Sequence, residues 1–315
     1  TSQSRERPDP QSMTTENLSL KVAFEPTPDT RLFLSLEQFD NETDSILLSD
    51  AGTISRGTLI ESRTAADTRD RTRVSLRLDL NVDAVIADTV SAKIYNQSSE
   101  TLQKLDETRM PPPYMSPQFR KRDSMFEQTL KGASFEVTKA FTVGNSDHSL
   151  TYGVERFETE SESTRDGGTV DSSGTPLFEF SPLPTRDFPT TNVETTAIFI
   201  QSEIAMLSDR FLLMPGLRYD DVEATTAPDM LYFAGNPGVG EPTDFADSAT
   251  SLKLGALYRL DNNSAIFANY SEGFRAPPYD DVNLGFSNAM GGYKTVSAPN
   301  PVSYTHLTLP TNQCV

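Results

Sequence analysis

The stretch Val74-Ser75-Leu76-Arg77-Leu78-Asp79-Leu80 sets four apolar side chains against a serine, an arginine and an aspartate in strict alternation. Successive side chains of a β-strand point to opposite faces, so this segment has one greasy face and one polar face. Working outward, the same period of two runs through Leu18, Leu20, Val22 and Phe24 against Ser19, Lys21 and Ala23. It resumes at Leu32, Leu34 and Leu36 after a Pro28-Asp29 turn. A soluble sandwich with one wet face would give this pattern, and so would a membrane barrel with a polar lumen; alternation alone does not separate them.

Loop lengths do. About ten strands are expected, near residues 15–24, 31–40, 71–80, 89–97, 124–139, 148–159, 193–206, 211–222, 250–260 and 264–274. Short connections at 25–30, 81–88, 140–147, 207–210 and 261–263 carry turn residues such as Gly144-Asn145 and Asn262-Asn263. They alternate with connections at 41–70, 98–123, 160–192 and 223–249, roughly 25 to 33 residues each against about 2 to 5 for an ordinary hairpin. All long connections at one end and all short turns at the other is the outer-membrane barrel arrangement, with turns on the periplasmic side. An adhesin-like soluble sheet would have to reproduce four consecutive short-long repeats. Phe24, Phe39, Tyr95, Phe211, Tyr219, Tyr258 and Tyr270 fall near strand ends, which suits an interfacial girdle and equally the ordinary enrichment of aromatics in strands.

Composition removes other classes. The 315 residues carry 27 basic and 45 acidic side chains, a formal charge of −18 that argues against nucleic acid as a partner. The length suggests two globular domains, although all-β barrels of this size form one. The acidic runs at 40–50 and 155–171 read as solvated loops. The longest apolar runs, Ala197–Ile200 and Phe211–Leu217, fall far short of the roughly 18 residues of a spanning helix. Thr1–Pro10 has neither a hydrophobic core nor a small-residue cleavage site, so the expectation is a cytoplasmic protein or a sequence whose start is missing. One cysteine, Cys314, and two histidines, His148 and His306, cannot supply an internal disulfide or a zinc site. Asp40, Glu42 and Asp44 imitate an EF-hand opening, but Ser45 replaces its glycine and Ala51 its terminal glutamate. Gly235, Gly238 and Gly240 lack the GxGxxG order, no GxSxG elbow exists, and His148 has no triad partners. His148 is expected as a solvated strand-end residue beside a periplasmic turn. No enzyme is expected.

Three segments carry a resemblance. Ile266–Pro301 reads IFANYSEGFRAPPYDDVNLGFSNAMGGYKTVSAPNP, with Phe274-Arg275-Ala276-Pro277 standing as a FRAP box; Leu213–Asp220 reads LMPGLRYD; His148–Ser163 reads HSLTYGVERFETESES. These resemble the TonB-dependent outer-membrane receptors, gated transporters with about 22 strands and a plug in the lumen. The order GFRAPPYDDVNLGF then GGYKT is most similar to the haemoglobin, transferrin and lactoferrin receptor branch, which takes haem or iron from host carriers. In haem receptors a second box beginning Asn-Pro and continuing Leu-Lys-Pro-Glu follows, often with an intervening histidine near the haem iron. Asn300-Pro301 matches only the opening of that box, and no histidine lies between Phe274 and Pro301. Tyr279, Met290 and Tyr293 occupy the interval; Tyr and Met ligate haem iron elsewhere, and packing or loop contacts are the plainer role here. The FRAP box itself reads either as ligand handling or as barrel-mouth architecture, with Pro277 and Pro278 ending a strand and Arg275 pairing with lumenal carboxylates or the plug.

The resemblance implies an all-β fold, a partial antiparallel transmembrane barrel in a bacterial outer membrane, spanning 1–301 as an internal fragment without its plug. Residues 302–315 depart abruptly; Ser303–Thr311, SYTHLTLPT, resembles translated sequencing-adapter read-through, so this tail is expected to be non-native. The implied function is import of iron as haem, as a ferric complex or from a host iron protein. No covalently bound cofactor is implied. The implied partners are TonB through the plug, outer-membrane lipid and the host carrier. Alternatives are a siderophore or other nutrient receptor, a passive porin-like barrel without energy coupling, and a soluble β-sandwich.

Overall fold

A computed structural model describes residues 8–55, 57–179, 182–261, 263–278, 282–283, 286–288, 293–295 and 304–307. The strands are β1 (Gln11–Thr27), β2 (Thr30–Ile46), β3 (Ile54–Ser55), β4 (Thr58–Asn81), β5 (Thr89–Met110), β6 (Gln118–Val143) and β7 (Ser146–Asp171). They continue with β8 (Thr190–Met206), β9 (Phe211–Ala227), a short helix α1 (Met230–Gly235), β10 (Phe245–Arg259) and β11 (Ala265–Arg275). Three short strands follow: β12 (Phe286–Asn288), β13 (Tyr293–Thr295) and β14 (Tyr304–Leu307). One antiparallel sheet runs β1-β2-β4-β5-β6-β7-β8-β9-β10-β11-β14, each long strand paired with its neighbour in sequence, as a chain of hairpins dictates.

Register turns alternation into faces. Leu80, Val90, Val137, Tyr152, Ile200, Leu217 and Leu252 are successive cross-strand partners from β4 to β10. Three positions away, and so on the other face, Arg77, Lys93, Ser134, Glu155, Ala197, Asp220 and Ala249 form a second row of successive partners. Ile200, Leu217 and Leu252 remain 45%, 43% and 49% exposed. An apolar belt of that exposure is no water-soluble core; it is a surface that meets hydrocarbon. Ala197, Val222, Ala224, Phe245 and Val282, all buried, lie instead on or against the inner face, while Val137 is a buried member of the outer row.

The short turns stand where the alternation puts them. Gly144 takes φ +62 in the two-residue β6–β7 turn, a conformation that favours glycine. The long connections do not. Most of 41–70 and 98–123 and the first part of 160–192 are strand: β2 runs to Ile46, β4 starts at Thr58, β5 reaches Met110, β6 starts at Gln118 and β7 reaches Asp171. Past the belt both faces are polar, so the ladder continues while the hydrophobic alternation that signals a strand disappears. The acidic residues of 40–46 and 155–171 are therefore ladder residues rather than loop residues.

Two smaller expectations change as well. Phe39 and Tyr95 share the inner face, so they leave the girdle. Tyr95 lies across Gly132, where an added Cβ would fall 2.3 Å from its ring, and Arg73 sits 5.1 Å from the ring centroid. His148 stacks on Phe141, ring centroids 5.0 Å apart, instead of standing free in solvent.

Register also aligns charge. Glu16, Asp40, Asp70, Glu100, Glu127 and Glu162 are consecutive cross-strand partners on the outer face above the belt. On the inner face of β4 at that height stand Arg69 and Arg71, both exposed and without an ion pair among the described residues, with Arg73 following.

Candidate functional site

The β10–β11 ladder ends at the pair Lys253 and Ser271. Beyond it the Leu252 backbone N–H donates to the Glu272 carboxylate at 3.0 Å instead of to a strand carbonyl. Pro277 and Pro278 offer no N–H to a ladder, so the chain leaves the sheet there. The segment then crosses the inner face, where Ala276 and Val282 pack with Val193, Ala224 and Phe245.

This crossing closes a recess of about 530 Å³. Phe274, Ala276, Pro277 and Pro278 form one wall, and Phe157, Val193 and Val222 are apolar side chains on the opposing sheet. Its charged groups are Arg218, Asp220 and Glu272. The Arg218 Nε donates to both Asp220 oxygens at 2.9 and 3.1 Å, and its Nη2 to Glu155 at 3.3 Å. The Tyr270 hydroxyl donates to Glu272 at 2.8 Å. The arrangement can grip a ligand with an apolar body and a few polar edges.

Of the residues singled out in the sequence, Phe274, Ala276 and Pro277 thus come together at one recess. Arg275 is exposed and makes no ion pair among the described residues, so the lumenal pairing expected of it is not seen there. Tyr293 lies on β13, paired through its backbone with Asn288 of β12. Tyr279, Met290, Asn300 and Pro301 lie outside the described residues. The sequence reading missed Glu272 and the Arg218–Asp220 pair. The spacing Arg218-Tyr219-Asp220 carried the signal for the latter, because residues two apart in a strand share a face.

Above the recess the connections brace one another. Residues 172–179 and 182–189 run beside upper β7 through bridges at Arg165–Thr185 and Val170–Pro176. Arg186 donates to Asp229 at 2.8 Å and pairs with Glu162 at 2.7 Å. Asp229 also caps α1 by accepting the Tyr232 N–H. Burial opposes ionisation of Asp229, but the Tyr232 N–H and Arg186 outweigh it and hold the carboxyl below its ordinary value. Tyr232, fully buried, donates its hydroxyl to the Asn283 carbonyl at 3.4 Å, and the Asn283 amide exchanges two bonds with the Thr243 backbone. Glu179 accepts from Thr169 and Arg122; these outweigh burial and depress its pKa. Asp187 moves the other way, raised by burial and only partly countered by Arg165. Among the described residues no group of three His, Cys, Asp or Glu side chains is placed to hold a metal ion.

Comparison with known proteins agrees with this architecture. Residues 10–302 match the family model described as TonB dependent receptor-like, beta-barrel. Among solved structures, the ferric preacinetobactin receptor BauA of Acinetobacter baumannii aligns over 84% of this chain and 40% of its own, with TM-score 0.55 and 15% identity. The ferric citrate transporter FecA, in its unliganded form, aligns over 84% and 36%, with TM-score 0.53 and 17% identity. The copper transporter OprC aligns over 87% and 38%, with TM-score 0.54 and 17% identity. The chain thus spans about two fifths of the structures it matches, and at these identities the likeness is one of fold. With a matched model over nearly its whole length and a sheet that turns an apolar belt outward, the chain belongs to the TonB dependent receptor-like β-barrel family of outer-membrane proteins.

Proposed function

We propose that the intact protein imports iron as haem, or as iron taken from a host iron protein, with energy supplied by TonB through a plug outside this chain. The observation that carries the reading is the FRAP-box segment: it leaves β11, crosses the inner face and walls a recess opposite Arg218 and Asp220. A segment so placed meets cargo inside the barrel. In this proposal Phe274, Ala276 and Pro277 shape the recess, Arg275 presents its charge to the lumen, and Tyr279, Tyr293, Asn300 and Pro301 belong to the same ligand-handling stretch. Residues 302–315 are left outside the receptor in this reading; the family match runs to residue 302 and includes none of 303–315. The pairing of β14 with β11 needs no native role, because an unpaired strand edge accepts any segment that can donate and accept along it.

A second reading, uptake of a ferric siderophore, is favoured by the lack of a histidine between Phe274 and Pro301. Deleting the intact gene and growing the cells under iron limitation on haem, haemoglobin or ferric siderophores decides between them. Loss of growth on haem and haemoglobin alone supports the first reading. Unchanged growth on both overturns it, and selective loss on a siderophore establishes the second.

A further inference from the structure

The inner face near the long-connection end carries four guanidinium groups in adjacent register. Arg63, Glu107, Arg120 and Thr169 are successive partners across β4, β5, β6 and β7. Arg109 stands one same-face position above Glu107, and Arg122 one below Arg120. Diagonal neighbours of this kind lie about 7–8 Å apart. Carboxylates serve only half the set. Glu107, 4% exposed, is bound by Arg63, which also donates to Asp50 at 2.7 Å. Glu179 is taken by Arg122.

Arg109 and Arg120 are left over. The Nε of each is buried without a hydrogen-bond partner. Arg109 has one long bond from Nη2 to the Thr169 hydroxyl at 3.4 Å, and Arg120 donates to no side chain or carbonyl among the described residues. Burial and then repulsion by a neighbouring arginine, Arg120 for the first and Arg122 for the second, push both guanidinium pKa values down. A half-buried guanidinium keeps its charge and five donors, so two of them without carboxylates form a strong acceptor-seeking pair. Farther down β4, Arg69, Arg71 and Arg73 extend the positive face inward, while the outer face at that height is acidic.

We propose that Arg109 and Arg120 form an oxyanion site, taking a carboxylate or phosphate group of a small ligand that enters from the long-connection end. The forked donors of Arg match a planar carboxylate or a phosphate edge, and Lys would supply a point charge without that geometry. The Arg69–Arg73 ladder then offers the next positive positions along the inner wall. The role of the oxyanion as part of the cargo rests on the import reading; the site itself does not.

The test uses the intact receptor purified in detergent and calorimetric titration at low salt with citrate and with inorganic phosphate. Wild type binds, and affinity falls as salt rises. R109Q/R120Q weakens binding by about tenfold or more, the size expected for losing charge-assisted bonds. R120K recovers part of the loss. E107Q releases the Arg63 guanidinium without changing side-chain shape and tightens binding, an opposite shift that a misfolded protein cannot give. R77Q, far down the wall beside Asp79, changes nothing. Binding of citrate alone narrows the class to carboxylates and still supports the site; ferric citrate then shows whether the anion arrives with iron. Equal affinity in wild type and R109Q/R120Q, or no binding of either anion to wild type, overturns the proposal. Intact binding with no uptake defect in iron-limited cells would instead sink the import reading.

Discussion

Above the belt, the two faces of one wall carry opposite charge. Outside, six carboxylates from Glu16 to Glu162 stand in one row across β1, β2, β4, β5, β6 and β7. Inside, Arg69, Arg71, Arg109 and Arg120 stand without carboxylate partners. A net charge of −18 hides this, because summing over the chain erases the side on which each charge stands. The comparison shows that one backbone separates two environments: lipid then an acidic rim outside, a basic wall and an apolar recess inside.

The contrast is broken most strongly at Leu217 and Arg218, neighbours in sequence on opposite faces. Leu217→Arg places a cation against hydrocarbon and should cost about 2–4 kcal/mol in urea unfolding from lipid vesicles. Arg218→Leu leaves Asp220 and Glu155 without their donor and should cost about 1–3 kcal/mol in the same assay. No measurable cost for Leu217→Arg in lipid would deny that this face meets hydrocarbon. Gly132→Ala probes the inner face alone: the new Cβ meets the Tyr95 ring, and about 1–3 kcal/mol should be lost unless the ring swings away.

Acid tests the bracing above the recess. The Glu179 and Asp229 carboxyls are depressed from ordinary values of 4.5 and 3.8, so their contribution is complete above those values and is lost as pH falls through the lower folded ones. Hydrogen exchange of 172–189 and 228–244 should stay slow near about pH 5 and quicken below about pH 4, with the β1–β2 ladder unaffected. Uniform quickening along the chain would show that these ties are not what holds the segments. The smallest effect belongs to the outer row. Glu100→Gln removes like-charge contacts with Asp70 and Glu127 and should raise stability by about 0.2–1 kcal/mol at low salt, shrinking as salt is added.

Much of this was legible in the sequence. Leu76 against Arg77 gave two faces, Gly144-Asn145 a tight turn, and FRAP a strand end with prolines that cannot continue a ladder. The polar upper strands were not legible. Around Asp70 and Glu100 both faces are wet, so no hydrophobic period marks them, and their strand character comes from neighbours already paired below. Nor could the recess be read: Arg218 and Asp220 share a face by spacing, but Phe274 joins them only because β11 parts from β10 after Ser271.

What the sequence determined by itself is the alternation, since side-chain direction along a strand is a property of a single chain segment. Register belongs to pairs of strands, and only the tertiary structure set it. That is why the carboxylate row, the leftover arginines 109 and 120, and the meeting of β11 with β8 and β9 at one recess appear only in three dimensions.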